Sequence, residues 1–534
     1  MVGVGQPATA RSHVADPGAG STIGSLLATA AAVATMTAAA AGCAPAADVP
    51  APNPTVPAGP SAISWRACGE RLECSQVKVP LDWGEPRGRQ ISLSVIRHPA
   101  SKPAQRIGSL FVNPGGPGES GVGLVQGAGD DLDTWGGGRF DVVSWDPRGT
   151  NASTPVRCFT SPAAAEQFWR GAVIPTTAAE STTSENRTAE LARRCGEVSG
   201  WLLPHISTAD TARDLDYLRS LVSDPQLTYV GLSYGTYLGQ TYANLFPGHV
   251  RAMVLDGVVD PVSYSDSAET RVTGSLAGTD EVFNQFLSLC QQAGSARCAL
   301  AGESQTAPEA VAELFTGVRS APIPAPSATP PGELDYGDLL LSQFQTLRDP
   351  RTWPANAAAL NAAIGGNGSE LEMAARPFRS VAGWTGSTTS AAIQCADAPA
   401  QQGLQSWPRV IDSFDRVSYL QGRMQGWWLW APCAAWPVRG QDNYRGPWNA
   451  ATPNPLLLIG TRYDPNTAYA NAVRAQRLLG NSVLLTHQGY GHISFQDPSA
   501  CVDAARTTYL TDLVVPAPGT VCQSDGQPFS TDFH

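Results

Sequence analysis

Lysine is nearly absent from this sequence, in which Lys78 and Lys102 are the two lysines among 534 residues. Charged residues make up 15% of the chain, and the formal net charge is -11 at pH 7. The sequence has no basic cluster that could neutralise phosphate groups. We therefore do not expect nucleic acid or anionic lipid surfaces as partners. Hydrophobic residues account for 42% of the chain, which is typical of a globular protein with a large core.

Metal-binding patterns are also missing. The sequence has no His-Glu-x-x-His motif, and no pair among its 11 cysteines has the spacing of zinc ligands. We therefore expect neither a metal site nor a cofactor.

The first sixty residues differ from the rest of the chain. Residues 23–41 carry no charge and consist mostly of Ala, Thr, Leu and Val. They hold few strongly apolar side chains, which favours an export signal over a stable membrane helix. The signal is predicted to span residues 1–43 and ends in Ala40-Ala41-Gly42-Cys43. This ending resembles a bacterial lipobox in which Cys43 is lipidated, although Ala40 stands where leucine is usual.

Residues 44–60, rich in Ala and Pro, predict a tether. The protein is thus expected to be exported, either lipid-anchored in the cell envelope or secreted. Plain secretion and an uncleaved anchor remain alternatives to lipidation, which is the only membrane contact we expect. The sequence leaves the oligomeric state open.

The cysteines agree with export, because removing Cys43 leaves an even number. They form sequential close pairs, and we predict five disulfides, with buried free thiols as the alternative. The pairs are Cys68 with Cys74, Cys158 with Cys195, Cys290 with Cys298, Cys395 with Cys433, and Cys501 with Cys522.

The segment Gly231-Leu232-Ser233-Tyr234-Gly235 lies between an apolar strand-like run, 227–230, and a helix-like run, 236–245. A glycine-flanked serine at a sharp strand-to-helix turn is the nucleophile elbow of α/β hydrolases. Ser233 is therefore the predicted nucleophile.

Strand and helix patterns alternate on both sides of this elbow, which predicts an α/β protein of the α/β-hydrolase fold with a mostly parallel sheet. The predicted strands are 108–112, 140–145, 227–230, 251–255, 455–460 and 481–486. The alternation stops in between, where helix-like segments, a proline-rich break and many tryptophans predict a large helical cap. The predicted core is thus residues 61–260 and 454–534, and the predicted cap, or lid, is residues 261–453.

In this fold the acid and the histidine follow the nucleophile along the chain. His492 lies in the loop predicted after the last apolar strand, where a general base can be exposed, whereas His487 at the strand end is expected to be structural. Asp464, after the strand 455–460, is the predicted acid, and Asp256 is its rival.

The oxyanion of an acyl-transfer intermediate needs backbone N–H donors. The residue after the nucleophile, Tyr234, supplies one donor. The second is expected from the Gly/Pro loop 113–118, through Gly115 or Gly116.

The loop Asn-Pro-Gly-Gly-Pro-Gly-Glu-Ser-Gly at 113–121, the Trp-Asp-Pro-Arg-Gly segment at 145–149, the elbow, and the Asp464 and His492 segments together resemble the actinobacterial tripeptidyl aminopeptidases. These are exported serine peptidases related to prolyl iminopeptidase, with mycobacterial cell-envelope proteases among their relatives. The resemblance runs from about Ser64 to Cys522. It implies cleavage of short peptides from a free amino terminus, a cap that limits access, and the triad Ser233, Asp464 and His492.

A free α-ammonium group needs a carboxylate counter-charge, for which Glu119 and Asp397 are the candidates and ordinary solvated or capping carboxylates the alternative. Two other functions stay open. One is a carboxylesterase or lipase with the same triad, since fold does not fix substrate. The other is a non-catalytic envelope binding protein.

Overall fold

The fold is taken from a computed structural model, which describes residues 62–531 except 277 and 303, together with residue 533. The predicted signal segment, the predicted tether and Cys43 lie outside these residues. A ten-stranded sheet with the order β1-β2-β3-β5-β4-β6-β7-β10-β11-β12 organises the described chain. The strands are β1 (Arg66–Gly69), β2 (Leu72–Pro80), β3 (Gln90–His98), β4 (Gly108–Asn113), β5 (Phe140–Trp145), β6 (Leu227–Leu232), β7 (Val250–Asp256), β8 (Ile323–Ala325), β9 (Gly332–Leu334), β10 (Leu456–Tyr463), β11 (Ser482–Tyr490) and β12 (Val521–Gln523).

In the part of the large sheet ordered β5-β4-β6-β7-β10-β11-β12, all neighbouring strands are parallel. All six predicted strands are present, and this sheet with its helices confirms the α/β-hydrolase fold. One local prediction was wrong, because β11 continues through Gly489 to Tyr490 and the loop before His492 is shorter than expected. The strands β1 to β3 form an antiparallel edge that the sequence reading did not identify.

Helices cover both faces of the sheet. In β4, Leu110 and Val112 pack toward α1 and α17, whereas Phe111 faces α4 and α5. This alternation follows from the two-residue period of a strand that is buried on both sides. The core helices are α1 (Gly121–Trp135), α2 (Pro162–Trp169), α3 (Ala178–Ser199), α4 (Thr208–Leu221), α5 (Tyr234–Leu245), α16 (Tyr469–Leu478) and α17 (Ala500–Asp512).

Between β7 and β10 the chain is mainly helical and adds only the two-stranded β8–β9 hairpin. Helices α8 (Thr279–Ala293) and α9 (Ala307–Ser320) match the helix-like sequence patterns at 279–292 and 307–318. The helices are α6 (Pro261–Asp266), α7 (Ala268–Leu276), α8 (Thr279–Ala293), α9 (Ala307–Ser320), α10 (Tyr336–Thr346), α11 (Trp353–Ile364), α12 (Ser369–Arg379), α13 (Val381–Asp397), α14 (Trp407–Val417) and α15 (Gly422–Gln425), followed by a π-helical turn, Gly426–Trp430. None of the described helices combines the length and hydropathy needed to cross a bilayer.

Disulfide bonds close five local loops, and they confirm the predicted pairing throughout. The bond between Cys395 and Cys433 ties α13 to the turn after the π-helical segment. The bond between Cys501 and Cys522 ties α17 to the edge strand β12.

Candidate active site

Ser233 occupies a tight turn between β6 and α5, with φ 54° and ψ -122°. This left-handed conformation is unusual for a residue with a side chain and is typical of a strained functional turn. A Cβ at Gly231 would lie 2.2 Å from the carbonyl oxygen of Gly235, and one at Gly235 would lie 2.6 Å from that of Asn113. Both flanking glycines are therefore required by close backbone approach, as the elbow pattern predicts.

Backbone hydrogen bonds hold the elbow in place. The Ser233 N–H donates to the carbonyl oxygen of Asp256 at 2.9 Å, which ties the elbow to the end of β7. The Ser233 carbonyl accepts from the Thr236 hydroxyl at 2.7 Å. The same hydroxyl accepts from the Val259 N–H at 2.9 Å, so the chain leaving β7 supports the turn.

The glycine loop after β4 packs directly against the elbow. A Cβ at Gly115 would lie 3.1 Å from Ser233 Cβ and 2.5 Å from the carbonyl oxygen of Leu232. The Gly115 N–H donates to the Asn113 side chain at 3.1 Å, so this donor is already used. Gly116 lines the same cavity as Ser233 and Tyr234, which favours Gly116 over Gly115 as the second oxyanion donor.

His492 and Asp464, the predicted base and acid, are in contact. The Nδ1 atom of His492 lies 3.0 Å and 3.1 Å from the two carboxylate oxygens of Asp464, and both residues are buried. Because the carboxylate only accepts, His492 donates through Nδ1 and its Nε2 is the nitrogen left for proton transfer.

Thr467 completes this pair. Its hydroxyl donates to Asp464 Oδ2 at 2.6 Å and lies 3.3 Å from Nδ1 of His492. The backbone N–H groups of Asn466 and Thr467 donate to Asp464 Oδ1 at 2.8 Å and 2.9 Å. Burial alone raises the pKa of Asp464, but the charge of His492 and the hydrogen bonds from His492 and Thr467 outweigh it and leave this pKa below its ordinary value.

The inserted region holds the histidine loop from the other side. The His492 N–H donates to the carbonyl oxygen of Arg348 at 2.7 Å. Gly491 has φ 84°, and a Cβ there would lie 2.6 Å from the same carbonyl oxygen. The sequence carried no signal for this contact, because a backbone carbonyl in the distant turn after α10 has no residue signature.

Asp256, the alternative acid, and His487, the alternative base, have interaction partners other than His492 and Asp464. The Asp256 carboxylate accepts from the Ser494 hydroxyl at 2.6 Å, and burial raises its pKa. His487 is fully buried, 3.5 Å from Asp497, and burial lowers its pKa to about 4. Neither residue is hydrogen-bonded to His492 in the described part of the chain, and both have the contacts of structural residues.

A cavity of about 130 Å³ lies between the elbow and the inserted helices. Ser233 and Thr467 both line it, so the elbow and the Asp464 loop border the same cavity. A groove at the surface shares three of its lining residues, Asp260, Ser263 and Gly274.

The two carboxylates proposed for an ammonium group are placed differently. Glu119 is exposed and does not itself line the cavity, but its Cγ lies 3.2 Å from the Cβ position of Gly116, which does. Asp397 is buried outside the lining of the cavity, and its two oxygens accept from the N–H and the hydroxyl of Thr208, both at 2.7 Å. Asp260 is the one acid among the lining residues and is paired with Arg474 at 2.8 Å.

Between residues 62 and 533, as far as described, no group of three or more His, Cys, Asp or Glu side chains is arranged to hold a metal ion.

Two family models match the chain. Residues 108–297 match the model described as "alpha/beta hydrolase fold", and residues 421–522 match "TAP-like protein". The first match contains the elbow, and the second contains Asp464 and His492.

Three curated relatives are similar to this chain over most of its length. The chain is 32% identical to "Serine protease Hip1" of Mycobacterium tuberculosis over 84% of this chain and 87% of the relative. It is 29% identical to "Tripeptidyl aminopeptidase" of Streptomyces lividans over 87% of both chains. It is 32% identical to "Carboxylesterase B" of M. tuberculosis over 86% of this chain and 89% of the relative.

Proposed function

Since the chain belongs to the tripeptidyl aminopeptidase-like family of α/β hydrolases and is a serine hydrolase, we propose that it is an exported peptidase that removes di- or tripeptides from a free amino terminus. The observation that carries the proposal is the contact of His492 Nδ1 with the buried carboxylate of Asp464, in a loop whose Thr467 shares a cavity with Ser233.

In the proposed reaction, Ser233 Oγ attacks the peptide carbonyl carbon and passes its proton to Nε2 of His492. Asp464 stabilises the resulting imidazolium, and the N–H groups of Tyr234 and Gly116 receive the oxyanion. Collapse of the intermediate breaks the C–N bond, and the leaving amine takes the proton from His492. Water then attacks the acyl-enzyme with His492 as base and releases the amino-terminal peptide.

Replacing the nucleophile tests this chemistry. Ser233→Ala should abolish both hydrolysis of a tripeptidyl coumarin amide and covalent labelling by a fluorophosphonate. The circular dichroism spectrum should stay unchanged, because the hydroxyl is not part of the described packing. Hydrolysis that persists in the folded variant would contradict the proposal.

A carboxylesterase is the second candidate, because one relative of similar identity carries that name. The two are separated by comparing kcat/KM for unblocked aminoacyl coumarin amides with kcat/KM for acyl nitrophenyl esters. Ester cleavage alone does not decide, because a peptidase with this triad also cleaves activated esters.

We propose Glu119 as the counter-charge for the substrate ammonium group. Glu119→Gln should raise KM for unblocked peptides more than for amino-blocked ones. Asp397→Asn is the matched control, since the Asp397 carboxylate is bound to Thr208. Equal effects of Glu119→Gln on both kinds of peptide would discard this role.

Export is supported by the five disulfides, which persist in oxidising compartments. For the proposed lipid anchor, Cys43→Ala should move the protein from the detergent phase to the aqueous phase of a Triton X-114 partition. Recovery of the unaltered protein in the aqueous phase would favour plain secretion.

A further inference from the structure

Four residues that line the Ser233 cavity each have a buried polar atom with no hydrogen-bond partner within the described protein. These atoms are Tyr264 Oη, Gln394 Oε1, Trp430 Nε1 and Asn466 Oδ1. Buried polar groups in proteins are nearly always paired, so four such atoms on residues around one cavity favour a polar ligand that pairs with them.

The chemical type of each atom and its neighbouring hydrogen bonds determine whether it can donate or accept a further hydrogen bond. The Gln394 side-chain nitrogen donates to Ser390 Oγ at 2.8 Å, which leaves Oε1 as an acceptor. Asn466 follows the proposed acid closely, since its own N–H donates to Asp464. Asn466 Oδ1 is a second acceptor, and the indole N–H of Trp430 is a donor. A ligand that satisfies all three must offer both hydrogen-bond donors and an acceptor, as the N–H and C=O groups of a peptide do.

The two acceptors, Gln394 Oε1 and Asn466 Oδ1, are not suited to a charged ammonium group. Arg271 lines the same cavity, and its guanidinium lies 3.7 Å from the Tyr264 ring centroid and 4.8 Å from that of Trp430. This cation disfavours a second positive charge beside it. Neutral amide N–H groups are compatible with it.

We infer that this wall recognises the peptide backbone of the substrate: Gln394 and Asn466 accept from substrate amide N–H groups, and Trp430 and Tyr264 donate to its carbonyl oxygens. The inference rests on the proposed function and makes these residues the determinants of peptide over acyl-ester substrates. An alkyl acyl chain has no amide group and cannot pair with them.

Gln394→Met tests the inference, because it keeps the length of the side chain and removes the acceptor. It should lower kcat/KM for a tripeptidyl coumarin amide about tenfold more than kcat/KM for nitrophenyl acetate. Gln394→Glu, which keeps an acceptor, should restore most of the amide activity. Trp430→Phe, which keeps a ring and removes only the N–H, should shift the ratio in the same direction as Gln394→Met.

Gln425→Met is the matched control. Gln425 lines the same cavity, but its amide atoms are paired with Gln421 and Ser275. It should lower the melting temperature without changing the amide-to-ester ratio. The rate of fluorophosphonate labelling at Ser233 shows for each variant that the site is assembled.

Equal losses for amide and ester in both Gln394→Met and Trp430→Phe would overturn the inference and leave the proposed function standing. An unaltered enzyme that cleaves the ester through Ser233 but no peptide would overturn both. An equal shift of the ratio in Gln425→Met would also overturn the inference, because any change of the wall would then suffice.

Discussion

The hydroxyl of Tyr234 lies 2.5 Å from Thr208 Oγ1, and Thr208 in turn donates to the buried carboxylate of Asp397. Thr208 has a single hydroxyl hydrogen and gives it to Asp397, so Tyr234 is the donor in the first of these bonds. Asp397 ends α13 in the inserted region, whereas Tyr234 begins α5 directly after the nucleophile. The inserted region is thus joined to the residue whose backbone N–H is proposed to receive the oxyanion.

Thr208→Val should break this connection while keeping the shape of the side chain. Because a shifted Tyr234 N–H matters most when the oxyanion forms, kcat should fall about tenfold with little change in KM. Steady-state kinetics on a tripeptidyl coumarin amide measures both parameters. Thr208→Ser keeps the hydroxyl and should retain near-normal kcat, and a change confined to KM in Thr208→Val would contradict this role.

The parallel part of the sheet could be predicted because its strands are buried on both faces. Such strands are continuous apolar runs ended by glycine, proline or aspartate, as in Leu456–Tyr463. The strands β1 to β3 carry no such run, since Arg66–Gly69 is exposed and both Leu72–Pro80 and Gln90–His98 mix buried with partly or fully exposed residues. A strand with one face toward water has a weaker sequence signal than a strand buried on both faces, because its apolar residues do not form a continuous run.

For the proposed site, chain order and local motifs predict Ser233, Asp464 and His492, of which the structure places Asp464 and His492 in contact. The motifs could not reveal that Asn113 uses the Gly115 N–H, or that Thr208 binds Asp397. Both facts depend on side-chain orientation and long-range packing. The unpaired acceptor of Gln394 is likewise visible only once α13 is placed against the cavity.

Asp464→Asn should separate the proposed acid from its rival. The amide cannot stabilise an imidazolium and favours the wrong tautomer of His492, so kcat should fall about 10,000-fold with the fold retained. Asp256→Asn changes a carboxylate that binds Ser494 and should act mainly on stability. Comparing kcat and melting temperature for the two variants checks this, and a larger kcat loss in Asp256→Asn would reverse the assignment.

Thr467→Val should change the pH dependence of the enzyme. It removes the 2.6 Å hydrogen bond to Asp464 Oδ2, one of the interactions that lower the pKa of this carboxyl. With a higher pKa, Asp464 becomes protonated at a higher pH, so the limb of the kcat profile that reports protonation of Asp464 should move upward. Thr467→Ser should keep the limb near its original position, whereas superimposable profiles for Thr467→Val and the unaltered enzyme would exclude the effect.

Asp397→Asn should make stability less dependent on pH. Burial raises the pKa of Asp397 to about 6, from an ordinary value of 3.8. The folded protein therefore binds a proton that the unfolded chain has lost between these values. This contribution is complete below the unfolded pKa and is lost as pH rises through about 6.

The corresponding loss for the unaltered protein is about 3 kcal/mol of unfolding free energy. An asparagine keeps both contacts with Thr208, since its oxygen accepts from the N–H and its nitrogen donates to the hydroxyl. The variant should therefore gain about this amount relative to the unaltered protein between pH 4 and pH 7. Denaturant titrations across this range measure the difference, and parallel stability curves would mean that Asp397 stays ionised throughout.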